Sequence, residues 1–226
     1  MPTLFLCLVA RRIKLSIYNI EGYQVINLLY KNYTDSDFLV KYDLLTGNKR
    51  ILNAGSSTLR YGTNCVNVDI QSKDNVDVVC DVHDLPDSLG EFDAIVCNAV
   101  LQHCHSPQKV AKEFYRVLKP GGYLFVDAPW VQPFCRDTPD RFRYSEEGLR
   151  VIFSDFEIIE IGASIRPGSA FAMQGVYIAR TLTSNKYINY GLGKIATILL
   201  YPFRWIRTVD ENKTAGAFYM IARKTA

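Results

Sequence analysis

The sequence ILNAGSSTLR, residues 51–60, decides the fold. Three of its first four residues are apolar, and they are followed by Gly55 and a cluster of small polar residues. This order is typical of a short buried strand that passes into a ligand-binding loop. The sequence therefore predicts a strand that ends at about Ala54 and a functional loop directly after it.

Further apolar runs repeat this strand pattern along the chain. Together with the first, they predict strands at residues 50–54, 65–68, 76–80, 92–97 and 123–127. Between the last two, apolar residues three and four positions apart predict a helix over residues 106–118, which the following Pro-Gly-Gly ends. Strands that alternate with helices form parallel sheets with right-handed crossovers. We therefore predict a doubly wound, Rossmann-like α/β fold with helices on both faces and a ligand site at the carboxyl ends of the strands.

Length and composition describe one ordinary domain. The 226 residues are 48% hydrophobic and 22% charged, which is enough for a single large core. The net charge of +3 comes from scattered Lys and Arg rather than from a basic stripe, so no nucleic-acid partner is expected. The six cysteines have no C-x-x-C spacing and are expected to be free thiols, which favours a reducing, cytoplasmic compartment.

The amino-terminal stretch TLFLCLVARRIKL, residues 3–15, is apolar first and basic afterwards, the reverse of a signal peptide. Its apolar part is too short to span a bilayer. We expect a strand or helix that docks on the domain. The whole chain, 1–226, is then one domain with a helical cap in residues 1–48, a cofactor-binding core in 49–164 and an insert in 165–215.

The loop at Gly55 has too few glycines for a dinucleotide. A pyrophosphate calls for G-x-G-x-x-G, so that backbone amides can approach its oxygens, whereas this loop reads GSST. A cofactor that carries a sulfonium and an amino-acid zwitterion needs only one close backbone approach, which Gly55 can supply. Asp69, at the end of the second predicted strand, is placed to accept both ribose hydroxyls. Asp81, at the end of the third, can mark the adenine edge.

Five pieces of the sequence, in order and at proper spacing, resemble the class I S-adenosylmethionine-dependent methyltransferases of type 11. They are ILNAGSS, VNVDI, CDVHDLP, FDAIVCNAVLQHCHSP and FYRVLKPGGYLFVDAP, within residues 49–162. The resemblance implies a seven-stranded sheet whose last strand, near residues 217–223, runs antiparallel beside residues 156–161. It also implies S-adenosylmethionine as the cofactor.

The resemblance further assigns the cofactor contacts, strand end by strand end. It implies Asn53, Ala54, Gly55 and Ser57 for the methionine end, Asp69 and Ile70 for the ribose, Asp81, Val82 and His83 for the adenine, and Asn98 and Ala99 for the wall near the sulfonium. Two positions depart from the family, because Asn53 stands where an acidic residue is usual and Ser57 where a second glycine is usual. Both departures are expected to weaken cofactor binding, and an aspartate at position 53 should keep or tighten it.

The segment PWVQPFCRDTPDRFRYSEEGLRVIFSDFEIIEIG resembles more narrowly a subgroup associated with polysaccharide or lipid-linked glycan biosynthesis. The matching residues are Asp140, Arg143, Tyr144, Ser145, Gly148 and Leu149, while Phe134, Cys135 and Arg136 stand where the subgroup has a His. We expect O-methylation of a small-molecule or glycan acceptor, contacted by Arg141, Arg143 and Tyr144. The two arginines also fit side chains that are solvated or paired with nearby acids. Ser145 with the two glutamates after it also fits an ordinary helix N-cap.

An oxygen acceptor needs a base near the proton that it loses, and three candidates follow the predicted strands: His103, His105 and Asp127. Each histidine also has a structural interpretation, His103 as a hydrogen-bonded edge residue and His105 as the entry to a helix. The stretch LQHCHSP, residues 101–107, lacks the spacing of a zinc site, so no metal is expected.

Residues 165–215 are too long for a hairpin connection and are expected to carry structure of their own. Residues 192–207 mix aromatic and aliphatic side chains with Lys and Arg, which fits a lid, a homodimer contact, or a peripheral contact at the inner face of a membrane. Two other functions stay open here: a relative that binds the cofactor without catalysis, and a dinucleotide-dependent oxidoreductase. Methylation of a flipped base is disfavoured, because NAVL replaces the usual Asn/Asp-Pro-Pro-aromatic motif.

Overall fold

The structure is a computed structural model that describes residues 31–57, 59–135 and 138–225. Its centre is a seven-stranded sheet with the order β3-β2-β1-β4-β5-β7-β6. The strands are β1 (Ile51–Ala54), β2 (Cys65–Asp69), β3 (Val78–Val79), β4 (Phe92–Asn98), β5 (Leu118–Pro129), β6 (Glu157–Ile165) and β7 (Ala217–Arg223). The first five strands pair in parallel, and β7 runs antiparallel between β5 and β6. The predicted seven-stranded sheet with an antiparallel last strand is confirmed.

Helices cover both faces of this sheet. They are α1 (Asp35–Lys41), α2 (Pro107–Val117), α3 (Glu146–Ile152), α4 (Pro167–Ala179) and α5 (Lys186–Leu200) within the described ranges. One core packs α2 and α3 on the sheet through residues such as Phe114 and Leu149, and the other packs α1 through Phe38. Neighbouring residues of β4 alternate between the two cores, as a strand buried on both faces requires.

Two strand boundaries differ from the prediction. The helix at Pro107–Val117 is one residue shorter at each end than predicted, but β5 begins directly after it, at Leu118 instead of residue 123. The reason is that the Pro-Gly-Gly segment is hydrogen-bonded to the end of the chain, with Gly121 N donating to Lys224 O at 2.9 Å and Lys224 N to Gly122 O at 3.0 Å. At the sheet edge, β3 is shorter than the predicted 76–80, since it has a partner strand on one side only.

The connection between β6 and β7 carries α4, α5 and a 3-10 turn at Tyr201–Trp205. α4 buries Met173 and Val176 in a cluster with Ile165 and Ala217, at the adjoining ends of β6 and β7, whereas α5 buries only Gly193. Of the helices that the structure describes, none is both long and apolar enough to cross a membrane. The apolar stretch 3–15 and residues 1–30 of the predicted cap lie outside the described residues.

Candidate functional site

The loop after β1 turns sharply at Gly55. Its φ is +69°, and a Cβ there would come within 2.2 Å of Val100 Cγ2, so only a glycine fits this position. Gly55 N donates to Val68 O on β2 at 2.9 Å. Ser57, which has a φ of +48°, donates its N–H to Asp69 Oδ2 at 3.0 Å. The loop is therefore fixed to the end of β2 at two points.

Asp69 closes β2 beside this loop. While Oδ2 accepts from Ser57 N, Oδ1 accepts from Gln71 N at 2.9 Å, and Lys73 Nζ lies 3.9 Å from Oδ2. A carboxylate oxygen can accept two hydrogen bonds, so each oxygen retains the capacity to accept one from a ligand hydroxyl. The next side chain, Ile70, is exposed. A carboxylate and an apolar side chain thus stand together where the ribose was predicted.

Asn53 is buried beneath the loop. Its Nδ2 donates to Leu59 O at 3.0 Å and to Asn67 Oδ1 at 3.2 Å. Asn67 Nδ2 donates in turn to Leu59 O at 2.9 Å and to Asn75 O at 2.8 Å. Because a carbonyl oxygen can only accept, this network fixes the orientation of both amides. An aspartate at position 53 would lose both donated bonds and would set its carboxylate against Leu59 O and Asn67 Oδ1.

The predicted adenine edge contains an Asp–His pair after β3. Asp81 Oδ1 accepts from His83 N at 2.9 Å and from His83 Nδ1 at 2.5 Å, while Ser106 N donates to His83 Nε2 at 3.3 Å. These partners place the proton of His83 on Nδ1. Burial acts to raise the pKa of Asp81, but the hydrogen bonds from His83 outweigh it and lower that pKa. His105 stacks on His83, with ring centroids 4.0 Å apart, which ties this candidate base to the adenine edge. Val82 is buried in the adjoining core.

Asn98 and Asp127 lie opposite each other at the ends of β4 and β5. Lys31 reaches both, because its Nζ donates to Asn98 Oδ1 at 2.8 Å and lies 3.1 Å from Asp127 Oδ1. The Asp127 side chain is 2% exposed, its Oδ2 is buried, and the buried Ser164 hydroxyl is a further neighbour that acts on this carboxyl together with Lys31. Burial raises the pKa of Asp127, and the charge of Lys31 acts in the opposite direction. Ala99, whose φ is +56°, donates its N–H to Asp127 O at 2.9 Å and turns the chain away from the strand.

A second carboxylate extends this cluster. Asp35, in the first turn of α1, accepts hydrogen bonds from Asn98 Nδ2 and from Tyr61 OH. Burial raises the pKa of Tyr61 well above its ordinary value, so the phenol stays protonated as a donor. Sequence reasoning missed Lys31, Asp35 and Tyr61, because none of them belongs to a motif of the strand ends. The signal that was present is TDSD, residues 34–37, a helix start that places Asp35 at the amino end of α1.

His103 lies in the 3-10 turn after β4 and contacts the segment 138–144. Its Nδ1 is 2.8 Å from Pro139 O, and its Nε2 is 3.1 Å from Gln102 Nε2. Since the carbonyl only accepts, Nδ1 carries the proton and Nε2 accepts from the amide. Both ring nitrogens of this candidate base therefore have partners within the protein.

The three residues predicted to contact the acceptor also form hydrogen bonds or ion pairs with other residues of the protein. Arg143 pairs with Asp140 through both guanidinium amino groups. Arg141 donates to His103 O at 2.5 Å and is otherwise on the surface. The ring of Tyr144 is buried, and its hydroxyl donates to a backbone carbonyl of the 3-10 turn at 2.8 Å. These contacts hold the segment 138–144 against the turn after β4.

Metal ligands and disulfides are absent from the part of the chain that the structure describes. No three His, Cys, Asp or Glu side chains there are grouped closely enough to hold a metal ion. The five described cysteines are free thiols, as predicted, and Cys7 lies outside the described residues: they are Cys65, Cys80, Cys97, Cys104 and Cys135. A cavity of about 360 Å³ is lined by residues 84–87, Glu113 and Arg116, and by none of the predicted site residues.

The methyltransferase domain family model matches residues 52–126, about a third of the chain. This range runs from β1 into β5 and includes every residue predicted for the cofactor. Among curated proteins, the thiol S-methyltransferase TMT1B of Homo sapiens is 44% identical over 45 residues. Those residues are 20% of this chain and only 18% of that protein, so the likeness is confined to one segment.

Solved structures with the same fold include methyltransferases and one enzyme of another class. A protein of Galdieria sulphuraria, provisionally named a sarcosine dimethylglycine methyltransferase, aligns with a TM-score of 0.55 at 15% identity over 84% of this chain and 83% of its own. The 1,6-didemethyltoxoflavin-N1-methyltransferase of Burkholderia thailandensis, solved with S-adenosylhomocysteine, aligns at 0.50 and 15% over 79% and 72%. The cyclase SpnF aligns at 0.51 and 18% over 84% and 80%, so the fold alone does not imply methyl transfer. The family match adds that residues 52–126 are similar to a methyltransferase domain.

Proposed function

We propose that the protein is an S-adenosylmethionine-dependent methyltransferase. The observation that carries this proposal is the meeting of the Gly55 turn with Asp69 at the ends of β1 and β2, where Ser57 N bridges them at 3.0 Å. A tight glycine turn leaves room for the amino-acid end of the cofactor, and a carboxylate at the next strand end accepts the ribose hydroxyls. The methyltransferase family match over residues 52–126 supports the same cofactor.

The backbone of the loop argues against a dinucleotide. Gly55 N and Ser56 N both donate to Val68 O, at 2.9 and 3.0 Å, and Ser57 N donates to Asp69. The amides that would cradle a pyrophosphate are therefore already used. Ser56 Oγ is buried in the same loop and has no hydrogen-bond partner among the described residues. The loop fits a cofactor without phosphate. Among its described residues it has no free amide for the pyrophosphate that a dinucleotide-dependent oxidoreductase would have to bind.

The remaining cofactor contacts follow the strand ends. Asp81 Oδ1 takes both bonds from His83, which directs Oδ2 toward the adenine amino group in our proposal. Val82 supplies an apolar contact beside it. Asn98 and Ala99 form the wall near the sulfonium, at the end of β4.

Asp127 is the base that we propose for the reaction. S-adenosylmethionine supplies the methyl group on a sulfonium and leaves as a neutral thioether. In this proposal the buried Asp127 Oδ2 becomes accessible when acceptor and cofactor bind, and it takes the proton of the acceptor hydroxyl as the new oxygen–carbon bond forms, while Lys31 holds Oδ1. A raised pKa brings the carboxylate closer to neutral pH, where a base is most effective. His103 and His105 are weaker candidates, because their rings are held by other contacts.

The acceptor that we propose is a small molecule methylated on oxygen, and in its finer form a glycan or a lipid-linked sugar. The likeness of the segment after β5 to glycan-biosynthesis methyltransferases supports the finer form. Arg141 is the exposed cation available to an acidic or phosphorylated acceptor, while Arg143 and Tyr144 shape the segment that carries it. The free thiols of the described cysteines support a reducing, cytoplasmic location.

The test is release of S-adenosylhomocysteine from S-adenosylmethionine by the full chain, with acceptors grouped as alcohols and sugars, thiols, and amines. We expect turnover with a hydroxyl acceptor, and we expect Asp127→Asn to lower kcat by about a hundredfold or more with little change in the KM for the cofactor. Asp155→Asn, a change of the same kind on the surface, is the control. Full activity of Asp127→Asn would remove Asp127 as the base.

A relative that binds the cofactor without transferring its methyl group is the second candidate. Asn53 favours it, because this position brings no negative charge to the cofactor's ammonium and its amide is used inside the loop. Binding of S-adenosylmethionine without release of S-adenosylhomocysteine in any acceptor group would decide for this candidate.

A further inference from the structure

Most of the insert, up to residue 209, lies within a long stretch that has no acidic residue. Residues 162–209 contain no Asp or Glu, and their basic residues are Arg166, Arg180, Lys186, Lys194, Arg204 and Arg207. The chain has 26 basic and 23 acidic residues, so the rest of it carries 20 basic against 23 acidic ones. The positive charge of the protein is therefore concentrated in this one stretch.

Helix α5 presents an apolar face within that stretch. Tyr187, Ile188, Ile195, Ile198 and Leu199 recur at positions that share one side of a helix, and all are exposed, Ile198 by 74%. The opposite side carries Gly193, where an added Cβ would meet the side chain of Arg180 at 2.5 Å. Large contiguous apolar surfaces are rare on soluble monomers and mark sites of interaction. Among the described residues nothing covers the outer face of α5, which is thus a candidate contact surface.

The 3-10 turn Tyr201–Trp205 continues this surface. Trp205 is 67% exposed, and the Arg204 guanidinium lies 5.0 Å from the ring centroid of Tyr201 and 6.0 Å from that of Trp205. On α5 itself, Lys194 Nζ lies 4.5 Å from the ring centroid of Tyr190. Aromatic rings beside long cationic side chains are the combination found at the level of lipid head groups.

The insert starts at the edge of the sheet that carries the candidate site. β5 and β6 both end where α4 begins, and Gln174 Nε2 donates to Val131 O just after β5 at 3.1 Å. Asn32, the neighbour of Lys31, accepts from Arg166 N at 2.9 Å and from Ser169 Oγ at 3.1 Å through its Oδ1. The turn Tyr201–Trp205, which follows α5, packs on α4 near its first residues and so lies near this edge of the sheet.

We propose that α5 and the turn Tyr201–Trp205 dock on an anionic lipid bilayer. The helix lies in the plane of the interface, with its apolar face among the upper acyl chains and the basic residues on the phosphates. A second copy of the chain fits less well, because a two-fold contact through this face would set basic residues against basic residues without an acid in the stretch to pair with them. The docking is independent of methyl transfer and would bring a membrane-borne acceptor to the site.

The experiment is flotation of the full chain with vesicles of phosphatidylcholine alone and of phosphatidylcholine mixed with phosphatidylglycerol. We expect binding to the mixed vesicles, weakened by added salt. Ile198→Asp and the double variant Lys186→Glu/Lys194→Glu should each weaken it by about tenfold or more. The matched controls are Val151→Asp, an exposed apolar position on α3, and Lys109→Glu/Lys112→Glu on α2, and both should bind like the wild type.

Three results would overturn the proposal. The first is absence of binding by the wild type at low salt. The second is equal binding by the wild type and the α5 variants, which would place any lipid affinity elsewhere in the chain. The third is a dimer in sedimentation experiments that Ile198→Asp dissociates while no form floats with vesicles. Circular dichroism of each variant checks that it is folded without reference to the cofactor, and cofactor binding measured separately keeps a failure of docking distinct from a failure of the proposed enzyme activity.

Discussion

Gly55 is held in its left-handed conformation by its surroundings, since Val100 packs against the place where a side chain would be. We expect Gly55→Ala to lower the free energy of unfolding by about 2–4 kcal/mol, the sum of the backbone penalty and the clash. Gly47→Ala is the matched control: its φ of +67° is nearly the same as the +69° of Gly55, but nothing lies within 4 Å of the added carbon. Gly47→Ala should lower the free energy of unfolding, measured with urea, by only about 1 kcal/mol. Equal losses would show that Val100 is not in close contact with Gly55.

Sequence and structure agree best for residues that directly follow a buried strand. Asp69 could be placed from the sequence, because an apolar run fixes the end of β2 and the parallel topology fixes what lies next to it. Lys31 could not, because it precedes α1 and reaches Asp127 only through the packing of that helix on the sheet. Asn53 is a second residue that the sequence could predict only in part. Its position was predicted, but the direction of its amide depends on Asn67 and Leu59, which no local pattern connects to it.

At the scale of elements, Glu113 joins α2 to the segment after β3. Its Oε2 accepts from Leu85 N at 2.8 Å, and Arg116 donates to both carboxylate oxygens at 3.1 and 2.8 Å. The hydrogen bonds from Arg116 lower the pKa of Glu113, against the opposite effect of burial. The stabilisation is therefore present above the unfolded pKa of about 4.3 and is lost as the pH falls through the lowered folded pKa.

Glu113→Gln should lower the free energy of unfolding by about 1–2 kcal/mol at neutral pH, because it removes charged acceptors from Arg116 and Leu85 N. The difference from the wild type should shrink below about pH 4, where the wild-type carboxyl also becomes neutral. Denaturant unfolding at a series of pH values measures it, with Glu91→Gln, an exposed glutamate, as the control. A difference that stays constant down to the lowest pH would contradict the assignment of this stabilisation to the ionised carboxylate.

Element boundaries that depend on pairing between residues far apart in the sequence were not predicted. The Pro-Gly-Gly segment was predicted to end the helix, and the helix does end before it. The same residues also belong to β5, because they are hydrogen-bonded to Lys224. The helices α4 and α5 were expected only as structure of unspecified kind, because an apolar stretch with glycines does not indicate which of its faces is buried. In the structure α4 packs at the adjoining ends of β6 and β7, and α5 packs mainly on α4 and the turn that follows α5.

At the scale of the whole molecule, the order of strands and helices was the most predictable feature, because five strand signals and one strong helix signal define a doubly wound topology. That topology brings Gly55, Asp69, Asp81, Asn98 and Asp127 to one edge of the sheet. The positive insert begins at this same edge. The proposed cofactor site and base lie at this edge, and the proposed docking surface belongs to the insert that starts there.

The central claim is that this edge binds S-adenosylmethionine through Asp69, and calorimetric titration of the full chain tests it most directly. We predict one binding site for S-adenosylmethionine and for S-adenosylhomocysteine, and no binding of nicotinamide dinucleotides. Asp69→Asn should abolish or strongly weaken this binding, whereas Asp74→Asn, the same change at an exposed position of the following loop, should leave it intact. Binding of the cofactor with unchanged affinity by Asp69→Asn, or binding of a dinucleotide in its place, would contradict the account.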